Sequence, residues 1–160
     1  DFTFVDQSGQ PFGLRDLKGK VWVADFIFTN CETVCPPMTA HMAKLKKKAE
    51  EKGLDVEFVS FSVDPEVDTP EKLAAYAKQF ADDLANWHLL TGYSPAEISE
   101  LAQNSFKTIV QKPANDDQVI HGTSFYLVGP DGNVVQTYNG VQDVPYDTIL
   151  EHIEILQSSR

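Results

Sequence analysis

Cysteine is nearly absent from this chain. There are two in 160 residues, Cys31 and Cys35, both in the stretch TNCETVCPPM. A domain of about this size buries roughly 70% of its unfolded surface and needs no disulfide to hold it together. The pair is therefore unlike a structural staple, and a redox or metal role comes forward.

Positive charge is also scarce. The 13 Lys and Arg against 24 Asp and Glu leave a net charge of −11, a balance that repels nucleic acid phosphate and anionic lipid. Nucleic acid is excluded as a partner on that ground. No apolar run is long enough to cross a membrane. No signal peptide is visible, and the chain opens without Met on DFTFVDQ, already strand-like. That is the look of a processed form, so any anchor is expected upstream. Internal repeats and low-complexity segments are missing, and GPDG at 129–132 is a turn without phosphate-loop spacing.

What is present is an ordinary soluble balance: 42% apolar, 11% aromatic and 23% charged residues. The length implies one domain over residues 1–160. The single basic cluster, KLKKK at Lys44 to Lys48, sits in a helical pattern and reads as a solvated face balanced by Glu50 and Glu51.

The pattern along the chain gives an order of elements. DFTFVDQSGQPFGL alternates around a Ser-Gly turn and predicts an N-terminal hairpin. VWVADFIF (21–28) reads as a buried strand, and the cysteines follow it directly. Pro36 and Pro37 suit a helix start; Met38, Met42, Leu45 and Ala49 recur at helical spacing, and Gly53 ends the helix. VEFVSFSVD (56–64) is a second strand. Thr69-Pro70 opens a helix with Leu73, Tyr76, Ala77 and Phe80, and WHLL (87–90) is a short strand. Ser94-Pro-Ala-Glu97 is a capping box before Ile98, Leu101 and Ala102. TSFYLVG (123–129) and NVVQTYNG (133–140) flank Pro-Asp-Gly as a hairpin, and Pro145 starts a last helix with Ile149, Leu150, Ile153 and Leu156 inward. Strands separated by helices, followed by a hairpin, give an α/β fold with the order of a thioredoxin-like domain carrying an N-terminal hairpin and an inserted helix.

Sites in open α/β sheets form at the carboxyl ends of the parallel strands. Cys31 follows the first core strand and Asp64 the second. If the strand starting near Thr123 is antiparallel to both, its start shares their edge, and His121 stands two residues before it. Cys31, Cys35, Asp64 and His121 are therefore expected to converge. Residues four apart on a helix have Cβ atoms about 5–6 Å apart, wider than a disulfide; with Cys31 in the loop before the helix, the two sulfurs can still meet. Cys35 at the helix N-terminus sits where the dipole favours thiolate, the form that attacks disulfides and binds metal.

Other residues carry weaker signals. Met38 offers a thioether but fits the core stripe. His41 lies on the cysteine helix away from its apolar stripe, and His88 and His152 read as ordinary. Asp64, before Pro65, is either a turn former or an outer partner of the site. Asp25, an acid within an apolar strand, is either a buried proton acceptor beneath the thiols or a solvent-facing residue.

FTNCETVCPPM, SVDPEVDTP and VIHGTSFYLVGPDG, in this order and spacing, resemble the SCO/SenC family in its Bacillus-type form, over nearly the whole chain. The resemblance implies a thioredoxin-like fold, copper as Cu(I) or Cu(II), and a part in assembling the copper A centre of cytochrome c oxidase. The family's ligands are the CxxxC cysteines and the later histidine, which fall on Cys31, Cys35 and His121. It implies an extracytoplasmic protein tethered to the outer face of the membrane through an upstream anchor. Its partners are the oxidase copper A subunit and a thiol reductant. Formation of the Cys31–Cys35 disulfide removes both sulfur ligands, so oxidation is expected to release copper. The alternative is a thiol-disulfide oxidoreductase that reduces the oxidase subunit's cysteines. Zinc suits the ligand types but ranks below copper on the resemblance alone. A peroxiredoxin-type peroxidase needs Pro-xxx-Thr-xx-Cys, and the matching positions hold Ala24 and Phe28.

Overall fold

The computed structural model describes residues 3–27, 35–54, 56–65, 67–80, 86–106, 124–140 and 144–158. The chain runs β1 (Thr3–Val5), β2 (Pro11–Gly13), α1 (Leu14–Leu17), β3 (Val21–Ile27), α2 (Cys35–Glu51), β4 (Val56–Ser62), α3 (Pro70–Lys78), β5 (Trp87–Leu90), α4 (Pro95–Ser105), β6 (Ser124–Val128), β7 (Val134–Asn139) and α5 (Tyr146–Ser158). A five-stranded sheet has the order β5-β4-β3-β6-β7. β3 is parallel to β4, from Val21 opposite Val56 to Ile27 opposite Ser62, and β4 is parallel to β5. β6 is antiparallel to β3 and to β7. This is a thioredoxin-like fold with an N-terminal hairpin and an inserted helix.

The position of each strand follows from its composition. All seven residues of β3 are buried, as expected of an apolar run in a central strand covered on both faces. Alternation separates the two faces. Phe26 stacks on Phe61 and meets Phe106 and Tyr126 edge-on, which leaves Asp25 and its neighbour Ser60 on the opposite face. β7 alternates less cleanly and is mostly exposed, as an edge strand allows.

The hairpin β1–β2 forms its own two-stranded sheet. Val5 and Thr91 exchange backbone hydrogen bonds of 3.0 and 2.8 Å, and the Gln7 side-chain amide joins the Trp87 carbonyl to the Leu89 N–H. Gly92 has a positive φ of 85°, and a Cβ there would lie 2.8 Å from Val5 Cγ2, so the seam closes only over glycine.

The helices begin and end where their residues dictate. Met38, Met42, Leu45 and Ala49 of α2 are buried. Gly53 closes α2 with φ +70°, its N–H bonding Glu50 O while Leu54 N–H reaches back to Ala49 O, a Schellman closure. Thr69 Oγ1 accepts from Lys72 N–H ahead of Pro70. Ser94 and Glu97 form the expected capping box. Ile149, Leu150 and Ile153 are buried, with Leu156 partly so.

Four sequence expectations are corrected. Leu14 does not extend the hairpin; it opens α1, where the Asp16 carboxylate accepts the Gly13 N–H at 2.8 Å. β4 stops at Ser62, two residues early, because the Asp64 carbonyl turns back to accept Val67 N–H and Asp68 N–H. Phe80 lies beyond the end of α3 yet still packs against Tyr76, with ring centroids 5.2 Å apart. The basic cluster is not one solvated face: Lys46 is 3% exposed and pairs with Glu50, while Lys44 and Lys48 lie over the ring of Tyr146.

Candidate metal centre

The geometry of the candidate site starts with β3 and β4. The Val63 N–H donates to the Ile27 carbonyl at 2.8 Å, so the two parallel strands leave the sheet together. β6 pairs Ala24 with Tyr126 and Trp22 with Val128. Continued by two residues, that register brings Ser124 to the level of Phe26. The start of β6 therefore shares an edge with the ends of β3 and β4, as the sequence pattern required. Cys31 stands four residues beyond Ile27 and His121 three residues before Ser124. Both lie outside the described residues. Cys35 is the first residue of α2, and its side chain is likewise outside them. Among the described residues no group of three or more His, Cys, Asp or Glu is placed to hold a metal.

Asp64 lies at this edge and is 3% exposed. Its N–H donates to Ser62 Oγ at 3.2 Å, and its carbonyl makes the turn described above. The backbone is thus the turn former, while the carboxylate is buried beside the edge rather than spread into solvent. Asp68, which sequence reasoning did not single out, is 1% exposed. Ser62 Oγ donates to Asp68 Oδ2 at 2.7 Å, and Thr91 Oγ1 donates to the Asp68 carbonyl at 2.7 Å. Tyr93 OH donates to the carbonyls of Ser62 (2.5 Å) and Leu90 (2.8 Å). Burial first, and the negative charge of Asp68 second, push the Tyr93 phenol well above the usual tyrosine range. The signal for Asp68 was the acidic repeat in SVDPEVDTP. Its burial needed the turn at Asp64, which spacing alone does not give.

Beneath the edge, Asp25 is 0% exposed. Ser60 Oγ donates to Asp25 Oδ1 at 2.6 Å, and Trp87 Nε1 donates to Ser60 Oγ at 3.0 Å. A hydrogen-bonded row thus crosses β5, β4 and β3. The solvent-facing expectation for Asp25 is thus corrected: its side chain is buried.

The remaining candidates have structural partners. Met38 is 0% exposed in the core. His41 Nδ1 is 2.9 Å from the Gly140 carbonyl. His88 stacks on Phe12 and faces Glu57, and His152 Nδ1 is 2.7 Å from Tyr138 OH.

The family model described as SCO1/SenC matches residues 1–157. The chain belongs to the SCO1/SenC family. It is 56% identical over 153 residues to the SCO1 protein homolog of Bacillus subtilis (strain 168), covering 96% of this chain and 79% of that protein. To the mitochondrial Protein SCO1 homolog 1 of Arabidopsis thaliana it is 34% identical over 147 residues, covering 89% of this chain and 42% of the plant protein. Among solved structures, a SCO1/SenC family lipoprotein from Bacillus anthracis str. Ames superposes with a TM-score of 0.95 at 56% identity, over 97% of this chain and 92% of that one. BsSco, a Sco family cytochrome c oxidase assembly protein in which a disulfide switch was identified, gives 0.92 at 54% identity, over 99% and 92%. Arabidopsis thaliana ScoI with copper bound gives 0.80 at 32% identity, over 96% of each chain.

Proposed function

We propose that this SCO1/SenC chain binds copper through Cys31, Cys35 and His121 and delivers it during assembly of the copper A centre of cytochrome c oxidase. The observation that carries the proposal is the shared sheet edge. Ile27, Ser62 and Ser124 end or begin there, and the three proposed ligands are attached to it by short stretches of chain. A copper-bound plant relative with the same fold supports the choice of metal.

Two thiolates and an imidazole suit Cu(I), and an added oxygen ligand accommodates Cu(II). Asp64, buried beside the edge, acts as an outer partner of the ligands. Oxidation of the two copper-bound thiolates to the Cys31–Cys35 disulfide gives up two electrons to an external disulfide, which takes two protons from solvent as it becomes a dithiol, and leaves His121 as the remaining ligand. Copper is released with the loss of both sulfurs. A dithiol reductant returns the two electrons before the next loading, as an oxidising compartment requires. The lipoprotein relative supports an extracytoplasmic, membrane-anchored setting, with residues 1–160 as one domain.

The test is Cys35→Ser in cells. Oxidase activity and the copper A absorption should be lost; normal assembly overturns the proposal. The disulfide switch of BsSco favours a second reading, a thiol-disulfide oxidoreductase acting on the oxidase subunit's cysteines. That reading expects His121→Ala to keep full function in cells while either cysteine substitution abolishes it.

A further inference from the structure

Four lysines fall within five residues of α2: Lys44, Lys46, Lys47 and Lys48. Lys46 is taken by Glu50. Lys44 and Lys48 place Nζ 5.1 and 5.7 Å from the centroid of the same Tyr146 ring. Lys47 is exposed. Among the described residues none of Lys44, Lys47 and Lys48 makes an ion pair. Like charges four apart on a helix repel, and the ring face offsets part of that repulsion. The result is a concentrated positive strip on a chain of net charge −11.

The strip lies on the second half of the helix that starts at the candidate site. α2 starts at Cys35, so Lys44 lies about 13 Å and Lys48 about 20 Å along the helix axis from it, at 1.5 Å per residue. Tyr146 opens α5. His41, three residues before Lys44, is bonded to Gly140, which follows the Asn139 that pairs with Ser124 at the site edge. Helix α2, the start of α5 and the end of β7 together tie the strip to that edge.

We propose that Lys44, Lys47 and Lys48 form the docking surface for an acidic face of the protein that receives copper from the Cys31–Cys35 edge. This rests on the copper-delivery reading above. Passing an ion between two ligand sets requires the partner to cover the edge and the flank beside it. An acidic partner is repelled by most of a surface with net charge −11, and is attracted along this strip. The strip therefore fixes its orientation as well as speeding encounter.

The experiment is copper transfer from the loaded chain to the soluble copper domain of the oxidase subunit, followed by its absorption. Lys44→Glu with Lys48→Glu should slow second-order transfer about tenfold at low salt and by about twofold or less at high salt, where screening removes steering. Lys44→Gln with Lys48→Gln should fall between. Arg15→Glu with Lys18→Glu makes the same change in net charge at α1, outside the strip, and should transfer at the unsubstituted rate. Equal slowing by both Glu pairs, or none by the α2 pair, overturns the docking surface alone. So does loss of binding to phosphatidylglycerol vesicles in the α2 variant with transfer unchanged. Absence of transfer by the unsubstituted chain overturns copper delivery and the docking surface with it.

Discussion

Asp25 carries a carboxylate on the central strand with no exposure to solvent. Burying such a group without hydrogen bonds costs several kcal/mol, and the Ser60 hydroxyl, itself bonded by Trp87, supplies one. Ser60→Ala removes a donor from the carboxylate and an acceptor from the indole at once. It should destabilise the protein by about 1–3 kcal/mol in urea unfolding; a change under about 0.5 kcal/mol, the scale of an ordinary surface substitution, would contradict the row. The aromatic hydroxyls set the alkaline limit. Tyr93 is held well above its usual range, and burial pushes Tyr138 up to about 12. Raised folded-state values mean the folded protein keeps these protons longer than the unfolded chain. Their contribution is complete below the unfolded value near 10 and is lost as pH rises through the folded values. Unfolding monitored from pH 9 to 12 should show stability falling above about pH 10, less steeply in Tyr93→Phe. Neither feature was legible in the sequence. VWVADFIF shows an acid in a strand but not which face it takes, and the partners of Asp25 come from strands 35 and 62 residues away.

The elements were legible where local chemistry is decisive. Ser94 and Glu97, Thr69 and Pro70, and Gly53 each satisfy helix-end groups within a few residues, so spacing alone finds them. Ser94→Ala should cost about 1 kcal/mol, measured by thermal or urea unfolding, with Glu97→Gln costing less because its amide oxygen still accepts the Ser94 N–H. Gly53→Ala forces a side chain into φ +70° and should cost about 1 kcal/mol as well. α1 was not legible: four residues are too few to show a helical period, and its start depends on the Asp16 carboxylate reaching Gly13 N–H. The sorting of the α2 lysines was hidden for a related reason. A run of cations reads as one face until the neighbours are known, and Tyr146 is about 100 positions away.

At the scale of the whole molecule, the proposed site depends on the strand order. Two parallel strands and one antiparallel strand bring three distant segments to one edge, and the pattern of strands and helices in the sequence was enough to expect it. The strand register and the burial of Asp64 and Asp68 needed the fold, because each depends on contacts between distant segments. Cys31, Cys35 and His121 are proposed to hold copper together at this edge. The most direct measurement is anaerobic titration of the reduced protein with Cu(II), followed by visible absorption and EPR, alongside His121→Ala. Copper held by both cysteines and His121 should give an intense sulfur-to-copper band saturating at one equivalent, weakened or short-lived in the variant. Stoichiometric disulfide formation with no lasting copper complex would contradict this reading and leave the cysteines a redox couple.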